Sequence, residues 1–268
     1  MDKKISFIGC GNMGKAILKG LLDSGLMQPG NIWVYTPTQT SVQALCDEFG
    51  INAAQSAQEA AQITDIVIAA VKPAIILRSM SDIASNLNKD SVVISVAAGI
   101  TLEQLATVLG HDRKIIRAMP NTPALVSAGM TSLTPNALVT PEDAAEALAM
   151  FRSFGMAEIV DEAMIHPVVG VSGSSPAYVF MFIEAMADAA VAGGMPRAQA
   201  YKFAAQAVMG SAKMVLETGM HPGALKDMVC SPAGTTIEAV KVLEQKGFRS
   251  AVISAIEACM EKSAALGK

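Results

Sequence analysis

A glycine-rich segment near the N-terminus constrains the fold more than any other feature. Three glycines, Gly9, Gly11 and Gly14, have the spacing G-x-G-x-x-G. The apolar run Ile5–Ile8 precedes them, and a helical pattern over Met13–Ser24 follows. In this context the first glycine permits a tight turn, the second lets backbone amides approach a pyrophosphate, and the third lets helix and strand pack closely. The segment predicts a dinucleotide site, with a purely structural glycine turn as the alternative.

Short β-branched runs alternate with helical patterns through the first half of the chain. The predicted strands are Ile5–Ile8, Asn31–Tyr35, Ile66–Ala70, Val92–Val96 and Lys114–Ala118, and the predicted helices are Met13–Ser24, Ser41–Phe49, Ala74–Leu87 and Leu102–Leu109. Such alternation is typical of βαβ units, so it predicts an α/β domain with a parallel, doubly wound sheet. Ligands of such sheets bind at the carboxyl ends of the strands.

The pattern changes beyond Pro167, where strand-like runs disappear. Long helical stretches follow, broken at Gly193–Gly194, Thr218–Gly223 and Ser231–Gly234. We therefore expect a dinucleotide-binding domain over residues 1–163 and an all-α domain over residues 164–268. Because a helical domain of this size is small for independent stability, we expect it to dimerise.

Composition excludes several classes of protein. Of 268 residues, 51% are hydrophobic and 16% charged, a balance typical of a globular protein. The net charge of −4, without a basic cluster, argues against a nucleic-acid partner. Four cysteines without C-x-x-C spacing indicate neither a disulfide framework nor a metal site. The chain begins directly with a strand pattern, so we expect no signal peptide and a cytoplasmic location.

One apolar stretch, residues 176–195, has the length of a membrane span. It carries Glu184 and Asp188 near its middle, which a helix facing lipid tolerates poorly. We therefore expect a soluble helix and no membrane partner.

The end of the second predicted strand bears on which dinucleotide binds. An acidic residue that grips the ribose is expected about 20 residues after the glycines. The sequence has Thr36 and Thr38 there, and no acid. Hydroxyl groups without a repelling carboxylate admit a 2′-phosphate, which favours NADPH, with NADH as the other option. Alternatively, the two threonines only shape a turn around Pro37.

A second glycine-containing turn lies near the C-terminus, within residues 221–240. A Pro–Ala–Gly sequence is followed by Thr235, Thr236 and an amphipathic helical pattern. The amides of Gly234, Thr235 and Thr236 would lie at a helix N-terminus, where a small carboxylate is able to bind. The alternative is an ordinary helix cap made by a threonine side chain.

Five motifs together carry a resemblance to a known family. In order along the chain they read FIGCGNMG, AAVKP at 69–73, AMPNTP at 118–123, GVSGSSPAY at 170–178 and the 221–240 segment. They resemble the pyrroline-5-carboxylate reductases over the whole chain. The resemblance implies a Rossmann-like domain followed by a helical dimerisation domain, in dimers that commonly assemble into decamers. It also implies reduction of 1-pyrroline-5-carboxylate to L-proline with NAD(P)H, the last step of proline synthesis.

The resemblance also implies roles for particular residues. The cofactor residues would be Gly9, Cys10, Gly11, Asn12, Met13 and Gly14 in the phosphate loop, Ala70, Val71, Lys72 and Pro73 beside the nicotinamide ribose, and Val96, Ala97 and Ala98 at a strand end. The amides of Gly234, Thr235 and Thr236 would hold the substrate carboxylate. The Thr236 hydroxyl would bind the ring nitrogen and serve as the catalytic group.

Three positions depart from the family pattern. Met228 and Ala57 stand where asparagine occurs in some relatives, and Ala233 replaces a glycine that is common in the turn before Gly234.

Two other functions remain open at this point. A β-hydroxyacid dehydrogenase also pairs a Rossmann domain with a helical one, but Lys202 and Lys213 lack the pattern that surrounds its catalytic lysine. A non-catalytic oligomer that senses NADP is the other alternative.

Overall fold

The computed structural model describes residues 1–266, which form two compact units. The first comprises Met1–Gly173 together with the chain from Met260 onward, and the second is Ser174–Cys259. By packing, the first unit thus extends ten residues beyond the domain boundary expected after residue 163. The functional division at that residue remains a prediction.

An eight-stranded sheet organises the first unit. Its strands are β1 (Ile5–Ile8), β2 (Ile32–Tyr35), β3 (Asn52–Ala53), β4 (Ile66–Ala69), β5 (Val92–Ser95), β6 (Lys114–Met119), β7 (Gly129–Pro135) and β8 (Gly155–Ile159). The spatial order is β3-β2-β1-β4-β5-β6-β7-β8. All neighbouring pairs are parallel except β6 with β7. The predicted α/β class and the mainly parallel, doubly wound sheet are confirmed.

Helices cover both faces of this sheet. They are α1 (Asn12–Asp23), α2 (Gln39–Phe49), α3 (Ala57–Ile63), α4 (Pro73–Ser81), α5 (Leu102–Leu109), α6 (Pro141–Arg152) and α7 (Ile165–Val168). Successive strand residues enter different hydrophobic clusters: Phe7 packs in one, and Ile8 in the other. Because side chains alternate along a strand, this division shows that the sheet is buried on both faces.

The predicted helix Ala74–Leu87 is wrong in its second half. The helix α4 ends at Ser81, and residues Ala84–Asn86 form a separate 3₁₀ turn. The Arg113 guanidinium donates to the carbonyl oxygens of Ala84 and Leu87 at 3.4 and 3.3 Å. These bonds supply partners for carbonyls that no longer belong to a helix.

The second unit is helical. It contains α8 (Ser175–Ala192), α9 (Arg197–Thr218), α10 (Pro222–Val229), α11 (Thr235–Gln245) and most of α12 (Phe248–Leu266). Three helix breaks fall at the predicted places, and a fourth, at residues 246–247 between α11 and α12, was not predicted. Large apolar side chains remain exposed within one chain; Phe180 and Phe203, for example, are each 62% exposed. Such a surface is typical of a unit that buries its apolar side chains against another subunit.

One helical stretch in residues 1–266, Glu162–Ala192, is long and apolar enough to cross a membrane by those criteria alone, and 6% of its most apolar window is buried in the chain. The core helix of a soluble protein meets the same criteria, so length and composition do not by themselves indicate a membrane span. The stretch contains Glu184 and Asp188.

Candidate active site

The turn after β1 has a shape that only glycine adopts readily. Gly9 has a φ of +76°, in the left-handed region. A Cβ there would lie 2.6 Å from Val71 Cγ1 and 2.7 Å from the carbonyl oxygen of Ala70. The Gly9 amide donates to the carbonyl oxygen of Tyr35 at 2.8 Å. The turn is therefore held closely between the ends of β2 and β4.

The N-terminus of α1 presents open backbone amides. Gly11 is the N-cap, makes no side-chain capping bond, and a Cβ there would meet nothing within 4 Å. The amides of residues 12–14 lack acceptors within the helix because they lie in its first turn. By contrast, a Cβ on Gly14 would lie 3.2 Å from both Ala70 Cβ and Cys10 Sγ. Open amides at the positive end of a closely packed helix fit the pyrophosphate of a dinucleotide.

The side chains of the phosphate loop differ in their surroundings. Burial raises the pKa of the Cys10 thiol to about 12, and nearby Lys15 offsets this only in part. Cys10 is therefore a neutral thiol at neutral pH and not a nucleophile. Met13 packs against the hydrophobic core, whereas the Asn12 side chain is exposed. Of these three side chains, Asn12 is the one placed to meet a ligand.

The threonines after β2 lie beside the glycine turn. Tyr35, the residue before Thr36, pairs with Ile8 at the end of β1. The Thr36 hydroxyl donates to the carbonyl oxygen of Thr38 at 3.1 Å, so it does shape the local turn. Thr38 is the N-cap of α2, but its side chain makes no capping bond. The Thr38 hydroxyl therefore does not cap the helix. Both interpretations of the two threonines, binding of a 2′-phosphate and shaping of the turn around Pro37, remain open.

The ends of β4 and β5 complete the same edge of the sheet. The Ala70 amide donates to the carbonyl oxygen of Ile8 at 2.9 Å, and the Val96 amide to that of Ala69 at 3.2 Å. Lys72 is the exposed N-cap of α4, and Pro73 is the first residue of that helix.

The three residues at the end of β5 differ in burial. Ala98 is exposed and Val96 half-buried, whereas Ala97 is only 4% exposed and packs in the core. Only the backbone of Ala97 is thus available to a cofactor.

Asn121 has a structural role that the sequence reasoning did not assign. Its Nδ2 donates to the carbonyl oxygen of Ser172 at 3.1 Å, and its Oδ1 accepts from the Met130 amide at 2.9 Å. Asn121 thereby connects two of the family motifs, AMPNTP and GVSGSSPAY. An asparagine between two prolines is the signal that was available in the sequence, but it does not reveal these partners.

In the second unit, the N-terminus of α11 is also open. Its N-cap is Gly234, which makes no side-chain capping bond, so the expected alternative of a threonine cap is wrong. The Gly234 amide already donates to the carbonyl oxygen of Ser231 at 3.0 Å. The amides of Thr235, Thr236 and Ile237 lack intrahelical acceptors because they begin the helix. An anion here would therefore bind the helical amides after Gly234.

The Thr236 hydroxyl stands at this helix end without a hydrogen-bond partner among residues 1–266. Thr236 is half-buried, whereas Thr235 is exposed. A hydroxyl group beside open amides is able to donate or accept a further hydrogen bond. The arrangement can therefore hold a small carboxylate and contact a neighbouring polar atom of the same molecule.

Two family models match separate parts of the chain. One, described as pyrroline-5-carboxylate reductase dimerisation, matches residues 162–266. The other, described as NADP oxidoreductase coenzyme F420-dependent, matches residues 4–99. The matched ranges contain the open end of α11 and the glycine turn, respectively.

Relatives that match over the whole chain identify the family more specifically than the two family models do. Pyrroline-5-carboxylate reductase from Escherichia coli (strain K12) is 76% identical over 268 residues, which are 100% of both chains. The Methanosarcina acetivorans enzyme of the same name is 43% identical over 270 residues, covering 100% of this chain and 99% of the relative. The chain belongs to the pyrroline-5-carboxylate reductase family. The resemblance drawn from the five motifs is confirmed, and with it the prediction of a reductase.

Solved structures of the family agree with this fold. Pyrroline-5-carboxylate reductase from Coxiella burnetii has a TM-score of 0.95 at 35% identity, with 100% of both chains covered. The Plasmodium falciparum enzyme, solved with NADP bound, has a TM-score of 0.88 at 31% identity, covering 100% of this chain and 99% of the other. The Rossmann-like domain, the dimerisation domain and the NADP class of cofactor are confirmed for the family.

The dehydrogenase alternative receives support from the fold alone. A 3-hydroxyisobutyrate dehydrogenase from Mycobacterium tuberculosis has a TM-score of 0.52 at 16% identity, covering 72% of this chain and 67% of the other.

Proposed function

We propose that this chain reduces 1-pyrroline-5-carboxylate to L-proline with NADPH, the final step of proline biosynthesis. The observation that carries the proposal is the N-terminus of α11, where open amides lie next to the Thr236 hydroxyl, which has no hydrogen-bond partner within residues 1–266. A cyclic imino acid has the matching groups, because its carboxylate and its ring nitrogen are one carbon apart.

The residues of α11 would bind and orient the imine. The Thr235 and Thr236 amides would hold the carboxylate, an interaction that the helix dipole strengthens. The Thr236 hydroxyl would accept a hydrogen bond from the protonated imine nitrogen and thereby fix the ring. When bound, NADPH supplies the hydride that the imine carbon, C2 of the pyrroline ring, takes up, and the C=N π electrons become the lone pair of the amine. No strong acid is required, since the protonated imine is already electrophilic.

The first unit would hold the cofactor. Residues Gly9–Gly14 would bind the pyrophosphate, and the ends of β4 and β5 would line the nicotinamide half. The segment with Thr36 and Thr38 would accommodate a 2′-phosphate, because no carboxylate at the end of β2 repels it. NADPH is therefore the preferred cofactor in this proposal, ahead of NADH.

The exposed apolar surface of the second unit supports self-association. We expect a dimer through these helices and the assembly of five such dimers into a decamer in the cytoplasm, with no nucleic-acid or membrane partner. Sedimentation velocity on the purified chain tests the size of the assembly.

A two-part assay tests the proposed reaction. Nicotinamide absorbance is followed after addition of 1-pyrroline-5-carboxylate, with NADPH and NADH compared. The same ring without its carboxylate, 1-pyrroline, serves as the matched control substrate. We expect consumption of NADPH with the acid, and a value of kcat/KM lower by about a hundredfold for the control because the carboxylate anchor is lost. NADPH that binds but is not consumed would favour the non-catalytic sensor instead.

A further inference from the structure

A single carboxylate completes the first turn of α5 from a distant position in the chain. Glu162 Oε1 accepts from the Leu102 amide at 2.8 Å and from Arg117 Nη1 at 3.0 Å. Leu102 follows the N-cap Thr101, so its amide is one that the helix itself leaves without an acceptor. A carboxylate at this place also faces the positive end of the helix dipole. The start of α5 thus depends on a residue 60 positions downstream.

The segment between β5 and α5 is anchored at its two ends. At the strand end, the Val96 amide donates to the carbonyl oxygen of Ala69 at 3.2 Å. At the helix end, Thr101 and Gln104 form a reciprocal capping box. Between them, Gly99 has a φ of +78°, and a Cβ there would meet nothing within 4 Å. Residues 96–98 are therefore held from the strand side by β4 and from the helix side, across Gly99, by the first turn of α5.

The carboxylate is itself held against the sheet by a buried cation. The Arg117 side chain is 7% exposed and the Glu162 side chain 34%. Arg117 lies on β6 directly beside Ser95, the last residue of β5. The Glu162 bonds are charge-assisted and therefore stronger and more directional than those between neutral groups. Because Arg117 lies on β6, the strand next to β5, the Glu162 carboxylate is held by a rigid part of the sheet.

We infer that Glu162 is a positioning residue for the cofactor segment Val96–Ala98, acting through the Leu102 amide. The inference rests on the proposed function, which assigns that segment to the nicotinamide half of the cofactor. Glu162 does not contact the reacting atoms in this account. It fixes the helix start from which residues 96–98 are held in place.

The first experiment compares Glu162→Gln with Glu162→Ala. A glutamine carbonyl still accepts from Leu102 and Arg117, whereas alanine removes the acceptor. The dissociation constant of NADPH is measured by its fluorescence in the absence of imine. We expect Glu162→Ala to raise this dissociation constant about tenfold, which is the scale of losing one charge-assisted hydrogen bond. Glu162→Gln should leave the dissociation constant within about twofold of that of the unmodified chain. The control is Glu158→Ala, which removes an exposed carboxylate from β8.

Glu162→Ala also leaves the buried Arg117 without its carboxylate partner. A second pair of variants therefore changes the donor, the Leu102 amide, and keeps Glu162. Leu102→Pro deletes the amide hydrogen at the first helical position, where proline fits, and leaves Glu162 and Arg117 paired. Leu102→Ala shortens the side chain further but keeps the amide hydrogen, so a side-chain effect alone would make it the more damaging change. We expect NADPH to bind more weakly to Leu102→Pro than to Leu102→Ala. For both variants, kcat at saturating NADPH should be near that of the unmodified chain.

Equal NADPH dissociation constants within both pairs of variants would overturn the inference, even if their unfolding temperatures differed, since a purely structural bond lowers stability alone. Failure of the proposed function would appear separately, as absence of imine-dependent NADPH consumption by the unmodified chain.

Discussion

The Gly234 amide donates to the carbonyl oxygen of Ser231 at 3.0 Å and closes the turn that leads into α11. Ala233, inside this turn, has a φ of +56°, a left-handed conformation that is costly for alanine. The departure from the family glycine therefore leaves the turn in place but adds strain to it. The turn thus requires Ala233 to adopt a backbone conformation that alanine does not favour.

We expect Ala233→Gly to raise the unfolding temperature slightly. Glycine removes a strain of about 1–2 kcal/mol, and its greater freedom in the unfolded chain offsets about 0.5–1 kcal/mol of this. The control, Ala239→Gly, lies in the exposed interior of α11 and should cost about 1 kcal/mol. Thermal unfolding of the two variants provides the comparison. If both were destabilised equally, the positive φ would carry no strain.

Thr236→Ala should lower kcat by about a hundredfold, the scale of losing one preorganised polar contact in the transition state. Thr236→Ser keeps the hydroxyl and should retain most of the activity. Thr235→Ala is the matched control, because it removes a neighbouring hydroxyl but leaves the backbone amide that holds the carboxylate. Steady-state kinetics with 1-pyrroline-5-carboxylate test all three. Unchanged kinetics in Thr236→Ala would remove this hydroxyl from the mechanism.

Gly9→Ala should abolish tight NADPH binding, with a dissociation constant raised at least about a hundredfold as the turn moves away from Val71 and Ala70. Gly25 is a matched control: its φ is +71°, but a Cβ there would meet nothing within 4 Å. Gly25→Ala should cost about 1 kcal/mol of stability and leave NADPH binding unchanged. Fluorescence titration separates the two effects. Similar NADPH binding by both variants would contradict the close approach at Gly9.

The elements that sequence predicted well carry strong local signals. The strands β1, β4 and β5 are buried on both faces, and their sequences ISFI, IVIA and VVIS are apolar at every position but one at most. The strand β7 was not predicted, because its sequence GMTSLTP combines serine and threonine with few apolar residues. It is nevertheless buried, since Thr131 and Ser132 pack inside the sheet. Tertiary packing outweighs local preference at such positions.

The candidate site divides in the same way. The amides of the two glycine turns were predictable, because the positions of glycine and helix start are encoded locally. The use of the Gly234 amide by Ser231, the inward side chain of Ala97 and the bond from Glu162 to Leu102 were not predictable. The first depends on the left-handed conformation of a non-glycine residue, and the other two on contacts that only the assembled sheet creates.

A buried ion pair gives the first unit a specific acid sensitivity. Asp143 is buried at the start of α6, where its carboxylate accepts from Lys114 Nζ at 2.8 Å and from the Thr140 hydroxyl at 2.8 Å. Burial alone would raise the pKa of this carboxyl, but the bonds from Lys114 and Thr140 outweigh it and lower the pKa. A carboxyl whose pKa is lowered by folding stabilises the fold fully above its unfolded value of about 3.9. That contribution is lost as the pH falls below this value through the folded pKa.

We therefore expect Asp143→Asn to lower the unfolding temperature most at neutral pH. The difference from the unmodified chain should shrink as the pH falls below about 4, because the carboxyl then becomes protonated and also loses its charge. Glu142→Gln is the control, since Glu142 is an exposed neighbour in the same first turn of α6. It should change the unfolding temperature little at any pH. A constant difference between Asp143→Asn and the unmodified chain across the acid range would show that the charge of Asp143 does not contribute to stability, and that only its shape matters.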